Sequence, residues 1–218
     1  MTCLPSNLRR TSTNAQRVTG GFCLGVALIS QALAGGGDLA KQGAQFAVVG
    51  ALPGEQTSAS LVLGSKTGLV VWKDNGVDGD GSGIAATPVE SGRVATQAPQ
   101  LVNEVITGDQ EFPAAAMLSN GNILVAWRNG STQNGSISGR IVGSNGQPIG
   151  HEFQISEAGA PDCLIPSVAG LADGTAVVAW GQRESGAVHQ DVYFQRVSAT
   201  GAKLGTATLA NQYYDLNQ

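Results

Sequence analysis

This sequence predicts an all-β fold built from repeated four-stranded units, and three observations carry the prediction. Trp72, Trp127 and Trp180 recur at spacings of 55 and 53 residues. Each ends an apolar, β-branched run that follows a turn signal, while helix-period patterns of useful length are missing after the first 34 residues. The 31 Gly in 218 residues supply the turns that many short strands require.

Setting the tryptophans in register justifies each element in turn. Leu63, Leu118 and Leu171 lie nine residues before their tryptophan, and Pro113 and Pro166 lie fourteen before theirs. Downstream, Asn103, Ser156 and Asn211 fall 31, 29 and 31 residues after it. The first strand, such as 165–171, runs into an Asn-Gly or Asp-Gly turn (Asn120-Gly121, Asp173-Gly174), whose two central residues are expected at positive φ. The second, such as 175–180, is a Val-rich run suited to a strand covered on both faces. After a variable loop come a third strand (84–89, 137–143, 191–198) and a second Gly turn (Ser91-Gly92, Asn145-Gly146, Thr200-Gly201). The fourth strand ends near Asn103, Ser156 or Asn211.

Four short antiparallel strands per period describe a β-propeller blade, in which neighbouring units bury each other's faces. A β-solenoid or sandwich of the same hairpins is the alternative. The units are expected at 59–110, 111–163 and 164–218, within a repeat region spanning 45–218, with an extra strand at 45–50. Three blades are fewer than a closed ring needs, so the chain reads as part of a larger or incomplete propeller. A complete chain of this kind would oligomerise or leave strand edges open.

The N-terminus has its own logic. Arg9, Arg10 and Arg17 precede an apolar stretch at 21–34, and no acid occurs in the first 34 residues. Small residues at Ala32 and Ala34 fit a signal peptidase, so residues 1–34 read as a secretory signal peptide and 35–44 as a linker. The stretch is shorter than the roughly 20 residues that span a bilayer, so no membrane span is expected in the mature chain. Secretion, or display at the cell surface, follows.

Removing those residues leaves 9 Lys+Arg against 16 Asp+Glu, a formal charge of −7. That excludes nucleic acid as a natural partner, because phosphate binding needs clustered Lys and Arg. Cys3 and Cys23 leave with the signal, and Cys163 alone can form no intramolecular disulfide and no multi-cysteine zinc site.

The third copy, Pro166-Ser-Val-Ala-Gly-Leu-Ala-Asp-Gly-Thr-Ala-Val-Val-Ala-Trp180, followed by Val192-Tyr-Phe-Gln-Arg-Val-Ser-Ala-Thr-Gly-Ala-Lys-Leu-Gly205, resembles the tandem tryptophan repeats of bacterial exported proteins. Some of those also carry haemolysin-type calcium-binding repeats. The resemblance covers residues 59–218 and implies an extracellular location and a propeller-like fold. A looser similarity is to sialidase-type propellers, whose blades also lead from Asp-Gly turns to a tryptophan. That resemblance implies an arginine triad and a Tyr-Glu pair, which have no match in this sequence.

The most suggestive local chemistry is Asp74-Asn-Gly-Val-Asp-Gly-Asp-Gly-Ser-Gly83. Alternating acids and glycines let several carboxylates converge on one hard cation, so Asp74, Asp78, Asp80 and Ser82 are the candidate ligands for Ca2+. A solvated turn between two strands explains the same residues. Ser185, His189 and Asp191 have the residue types of a catalytic triad, but such triads are defined by geometry, so no catalytic residue is assigned. His151 is isolated at a strand start, and Cys163 is a free thiol or a small buried residue. The tryptophans could stack on sugars, although one repeated register favours packing between blades. Asn129 and Asn134 each begin a glycosylation sequon.

The expected function is a non-enzymatic secreted or surface scaffold, binding a glycan or protein partner through loops 73–83, 128–136 and 181–190. Calcium is the candidate stabilising ion. The alternatives are a sialidase-like or other glycoside hydrolase fragment, and a structural spacer of a large surface protein.

Overall fold

The computed structural model describes residues 49–65, 67–90, 93–94, 98–130, 134–183 and 190–211. The leader, the linker and most of the 45–50 segment therefore lie outside the described residues. Every regular element among them is a β-strand, gathered into three antiparallel sheets of successive strands. The first sheet holds β1 (Gln56–Leu63), β2 (Thr67–Asp74) and β3 (Gly83–Glu90), with its outer position divided between β4 (Arg93–Val94) and β5 (Gln100–Leu101). The second holds β6 (Gln110–Met117), β7 (Ile123–Asn129), β8 (Ser136–Val142) and β9 (Pro148–Gln154). The third holds β10 (Asp162–Gly170), β11 (Ala176–Arg183), β12 (Asp191–Val197) and β13 (Lys203–Leu209).

The sheets stack face to face, and their first strands adjoin one another in the order β1, β6, β10. This is a propeller-like arrangement, with first strands innermost and fourth strands outermost.

Strand parity decides which blade each side chain meets. On the second strand, Leu69 and Val71 pack with Val125 and Trp127 of the next blade, and Leu124 and Ala126 pack with Val178 and Trp180 of the blade after. Successive side chains of a strand point to opposite faces, so Trp127 and Trp180 face the blade before their own and Trp72 lies on the corresponding face of the first. Trp72 sits with Val70, Ala85 and Val89, against which Val49, Leu52 and Val77 pack. All three indoles are at most 2% exposed.

Buried indole N–H groups need acceptors, and each finds one two residues along its own strand. Trp72 donates to Asp74 Oδ2 (3.1 Å), Trp127 to Asn129 Oδ1 (2.7 Å) and Trp180 to Gln182 Oε1 (3.4 Å). The repeat is thus Trp-x-Asp/Asn/Gln, a feature of the second strand that the tryptophan alone does not reveal.

The other periodic residues have equally local causes. Pro113 sits inside a register shift of the first strand between Glu111 and Ala114, and Pro166 closes the corresponding shift that starts at Cys163. A bulge is where a strand tolerates proline. Asn103, Ser156 and Asn211 tie the end of the outer strand to the third strand. Their side-chain oxygens accept from the backbone N–H of Ile84 (2.8 Å), Ile137 (3.1 Å) and Val192 (2.9 Å).

One detail of the turns differs from expectation. At Asn120-Gly121 only the glycine has positive φ (83°), and the bonds Gly121 N to Leu118 O and Leu118 N to Asn122 O enclose a three-residue loop. This is a type I turn followed by a left-handed residue, so Asn120 keeps an ordinary backbone and its side chain accepts from Asn122 N. The same pair of bonds closes the turns ending at Gly146, Gly174 and Gly201.

Candidate functional site

The second strand of the first blade leaves its sheet at Asp74 and the third returns at Gly83, which pairs directly with it. Residues 75–82 must therefore leave and re-enter across one strand spacing, and they do so by folding onto the connector between the first and second blades. Gln110 N donates to Ser82 O (2.6 Å), Ser82 Oγ to Asp109 Oδ1 (2.9 Å), Asn103 Nδ2 to Asp78 Oδ2 (3.2 Å) and Gly108 N to Asp80 Oδ2 (3.3 Å). Asn103 Nδ2 also reaches the buried Gln110 carboxamide. Two glycines make this approach possible. A Cβ on Gly81 would lie 2.9 Å from Gly108 O, and one on Gly83 would lie 2.6 Å from Asp78 Oδ2.

The candidate calcium ligands divide under this geometry. Asp78, Asp80 and Ser82 share the loop and its docking surface, together with Asp109. Asp74 is 4% exposed and turned inward, where its oxygens accept from Trp72 Nε1 (3.1 Å) and Gly76 N (2.9 Å). Among the described residues no group of three or more His, Cys, Asp and Glu side chains stands close enough to hold a metal ion.

The other candidate residues fall apart in space or in chemistry. Ser185 and His189 lie outside the described residues, while Asp191 accepts from Asn211 Nδ2 (2.7 Å) and so secures the end of the third blade. His151 is exposed beside Glu104, with Nδ1 3.0 Å from its carboxylate. Cys163 is buried, and burial raises its thiol pKa, which leaves it a packing residue rather than a nucleophile. The tryptophans are core and offer no face to a sugar. Asn129 has its amide committed to Trp127 and Ser138, whereas Asn134 is exposed at φ 70°.

Sequence reasoning missed the ionic contacts that join the blades. The residue after each of the first two tryptophans is a cation that reaches forward: Lys73 to Glu111, and Arg128 to Asp162 at 2.8 Å, with Arg128 itself only 4% exposed. Burial opposes charge on Asp162, but the hydrogen bonds from Arg128 and Gly135 N outweigh it and hold its pKa below the usual range. A second set lies on the outer strands. Glu104 accepts from the backbone N–H of Glu152 (3.1 Å) and Glu157 from that of Ala207 (3.1 Å), one blade on. These backbone donors, followed by His151 for Glu104 and Lys203 for Glu157, lower both glutamate pKa values. The signal for both sets was present, since a cation follows Trp72 and Trp127, and an acid follows Asn103 and Ser156.

No protein-family model matches this sequence. No curated protein matches it either. Among solved structures it is similar to an endo-1,4-beta-xylanase from Bacteroides thetaiotaomicron at 13% identity and TM-score 0.49, over 79% of this chain and 63% of that one. A GH43 endo-arabinanase from Bacillus licheniformis gives 15% identity and TM-score 0.45, over 73% and 61%. A protein of unknown function from Dyadobacter fermentans gives 12% and 0.49, over 71% and 53%. The chain thus spans between half and two thirds of the length of these structures. No helix among the described residues is long and apolar enough to cross a membrane.

Proposed function

We propose that this chain is an exported, non-enzymatic repeat scaffold that binds an extracellular glycan or surface protein through the loops at one end of its blades. The observation that supports the reading is the 75–82 loop, whose docking onto the 103–110 connector fixes Asp78, Asp80 and Asp109 at the blade end. A loop already held by internal bonds loses little conformational freedom on binding, which is how a rigid scaffold gains affinity. Its carboxylates suit cationic groups on a partner, in keeping with the acidic balance of residues 35–218.

Calcium enters the proposal through Asp78, Asp80 and Ser82. Asp74 would have to give up its hydrogen bonds to Trp72 and Gly76 to join them. An ion bound there would raise the melting temperature of the mature chain in calcium over that in chelator. Equal melting in the two conditions removes calcium from the proposal.

The binding reading is tested on glycan and protein arrays, comparing the mature chain with a variant carrying Asp78→Asn, Asp80→Asn and Asp109→Asn. Capture of a defined partner by the parent and its loss in the variant is the expected result. Equal capture by both overturns the assignment to this loop, and turnover of a glycan overturns the non-enzymatic reading.

A further inference from the structure

The three second strands occupy one register, which makes their forward faces directly comparable. In the first blade that face carries Leu69 and Val71, and in the second Leu124 and Ala126; all four are fully buried by the blade that follows. The same positions in the third blade are Val177 and Ala179, and both are partly exposed. The third strands repeat the contrast. Ile84 and Ile137 are 0% exposed, and their counterpart Val192 is 47% exposed. Phe194, two residues on, is partly exposed, where Ala86 and Gly139 are buried. The outer strand shows no such contrast, since Leu204 is 41% exposed and its counterpart Ile149 in the covered second blade 46%.

We infer that the forward face of the third blade is a docking surface for one further four-stranded unit of this same repeat. The inference stands apart from the proposed function, because it uses the continuity of two interfaces already present in the chain. Both join a forward face of small and branched apolar residues to a backward face bearing Val and Trp at alternate positions, and the third blade offers another such forward face. The occupant's chemistry is also constrained. Lys73 and Arg128 reach forward to an acid of the next blade, but Gly181 holds that place in the third. The docking unit therefore needs no acid at the start of its first strand. The backward face of the first blade is not the matching surface on another copy, since Trp72 is 1% exposed and Leu52 packs against its cluster.

The test uses thiol labelling at Val192→Cys, with Phe194→Cys as a second reporter two residues along the same strand, where the second blade has the buried Gly139, read at the labelled position by peptide mass. Each is placed in the full chain and in the same chain extended past Gln218 by a copy of residues 164–218. Labelling of the unextended chain is expected to be fast and independent of protein concentration. In the extended chain both positions should react at least tenfold more slowly. Equal rates in the two chains overturn the inference. So does slow, concentration-dependent labelling of the unextended chain, which would make the occupant a second copy of the whole molecule.

Discussion

The buried ion pair between the second and third blades gives the sharpest test of how the blades are joined. Asp162→Ala removes the carboxylate that accepts from Arg128 Nη2 at 2.8 Å and from Gly135 N at 3.0 Å. The Arg128 side chain is 5% exposed, so the substitution leaves a cation in the interface with one of its acceptors gone, while Cys163 O and Gly130 O still accept from it and the Glu111 carboxylate stays 3.6 Å away. Breaking a buried pair from one side costs about 3–5 kcal/mol, and the retained carbonyl acceptors place this case near the lower end, about 3 kcal/mol. For a chain of this size that is a fall in melting temperature of about 6–12 °C, measured by circular dichroism at neutral pH. Asp173→Ala is the matched control. It removes an Asp–Arg pair of nearly the same length, 2.9 Å to Arg196, together with the bonds that Thr175 N and Oγ1 donate to the same carboxylate, but the paired side chains are about half exposed to water, so the smaller loss is expected here. The Asp162 pKa is lowered in the folded state, so its stabilisation is present above the unfolded carboxylate pKa of about 3.9 and is lost as pH falls through the folded value. Parent and variant should therefore converge as the pH falls through the folded carboxylate pKa. If the two substitutions shift the melt equally, or the Asp162 deficit persists undiminished at low pH, the reasoning about burial is wrong.

The remaining predictions probe packing, turns and the outer clasps. Leu124→Ala should cost about 2–5 kcal/mol by chemical denaturation, whereas Val177→Ala at the same register of the open face should cost less than about 1. Comparable losses would contradict the difference in cover. Gly121→Ala places a Cβ where nothing stands within 4 Å, so its cost of about 1 kcal/mol is purely that of a left-handed backbone at φ 83°. Asn at that position should recover part of it. Glu104 and Glu157 also have lowered pKa values, so exchange of the Glu152 and Ala207 amides should quicken as pH falls through those values, once the intrinsic acid dependence is corrected. Glu157→Gln should remove that extra pH dependence at Ala207.

The architecture was legible in the sequence because its causes are local and repeated. A period-two strand, a Gly turn and a tryptophan at one register each leave a mark on neighbouring residues, and three copies multiply it. The landmark at Asn103, Ser156 and Asn211 was visible as a spacing before its role as an acceptor for the third strand was apparent. The turns were read one step too simply, since Asn-Gly suits both the two-residue and the three-residue hairpin, and only the closing bonds distinguish them. The candidate site was less legible. Asp74 looked like part of the acidic loop, but its place on the face of β2 assigns it to the Trp72 indole, as Asn129 and Gln182 are assigned to theirs. Asp109 was overlooked because it is 27 residues from Ser82, on a connector that meets the loop only once the two blades stack.

These contacts give the stack a direction. Trp127 and Trp180 face backward into the cover of the preceding blade, while Lys73 and Arg128 reach forward to an acid on the next. Glu104 and Glu157 likewise reach forward, to the outer strand of the next blade. The second blade inserted in reverse against the first would set Arg128 against Lys73 and leave the indole face without its branched partners. Alternate stacking is thus disfavoured by charge as well as by shape. The cation is also the point at which the copies diverge: lysine, then arginine, then Gly181. Changing Gly181 to lysine should consequently leave the three-blade chain nearly unaffected, because a Cβ there meets Leu164 and Gln190 only at ordinary contact distances of 3.4 and 3.5 Å. In the chain extended past Gln218 it should act through whatever acid the added unit presents. A stabilisation that appears only when that unit carries an acid at the start of its first strand would show that the forward ion pair selects which blade follows which. An equal effect with and without that acid would reduce the ion pairs to incidental surface charge.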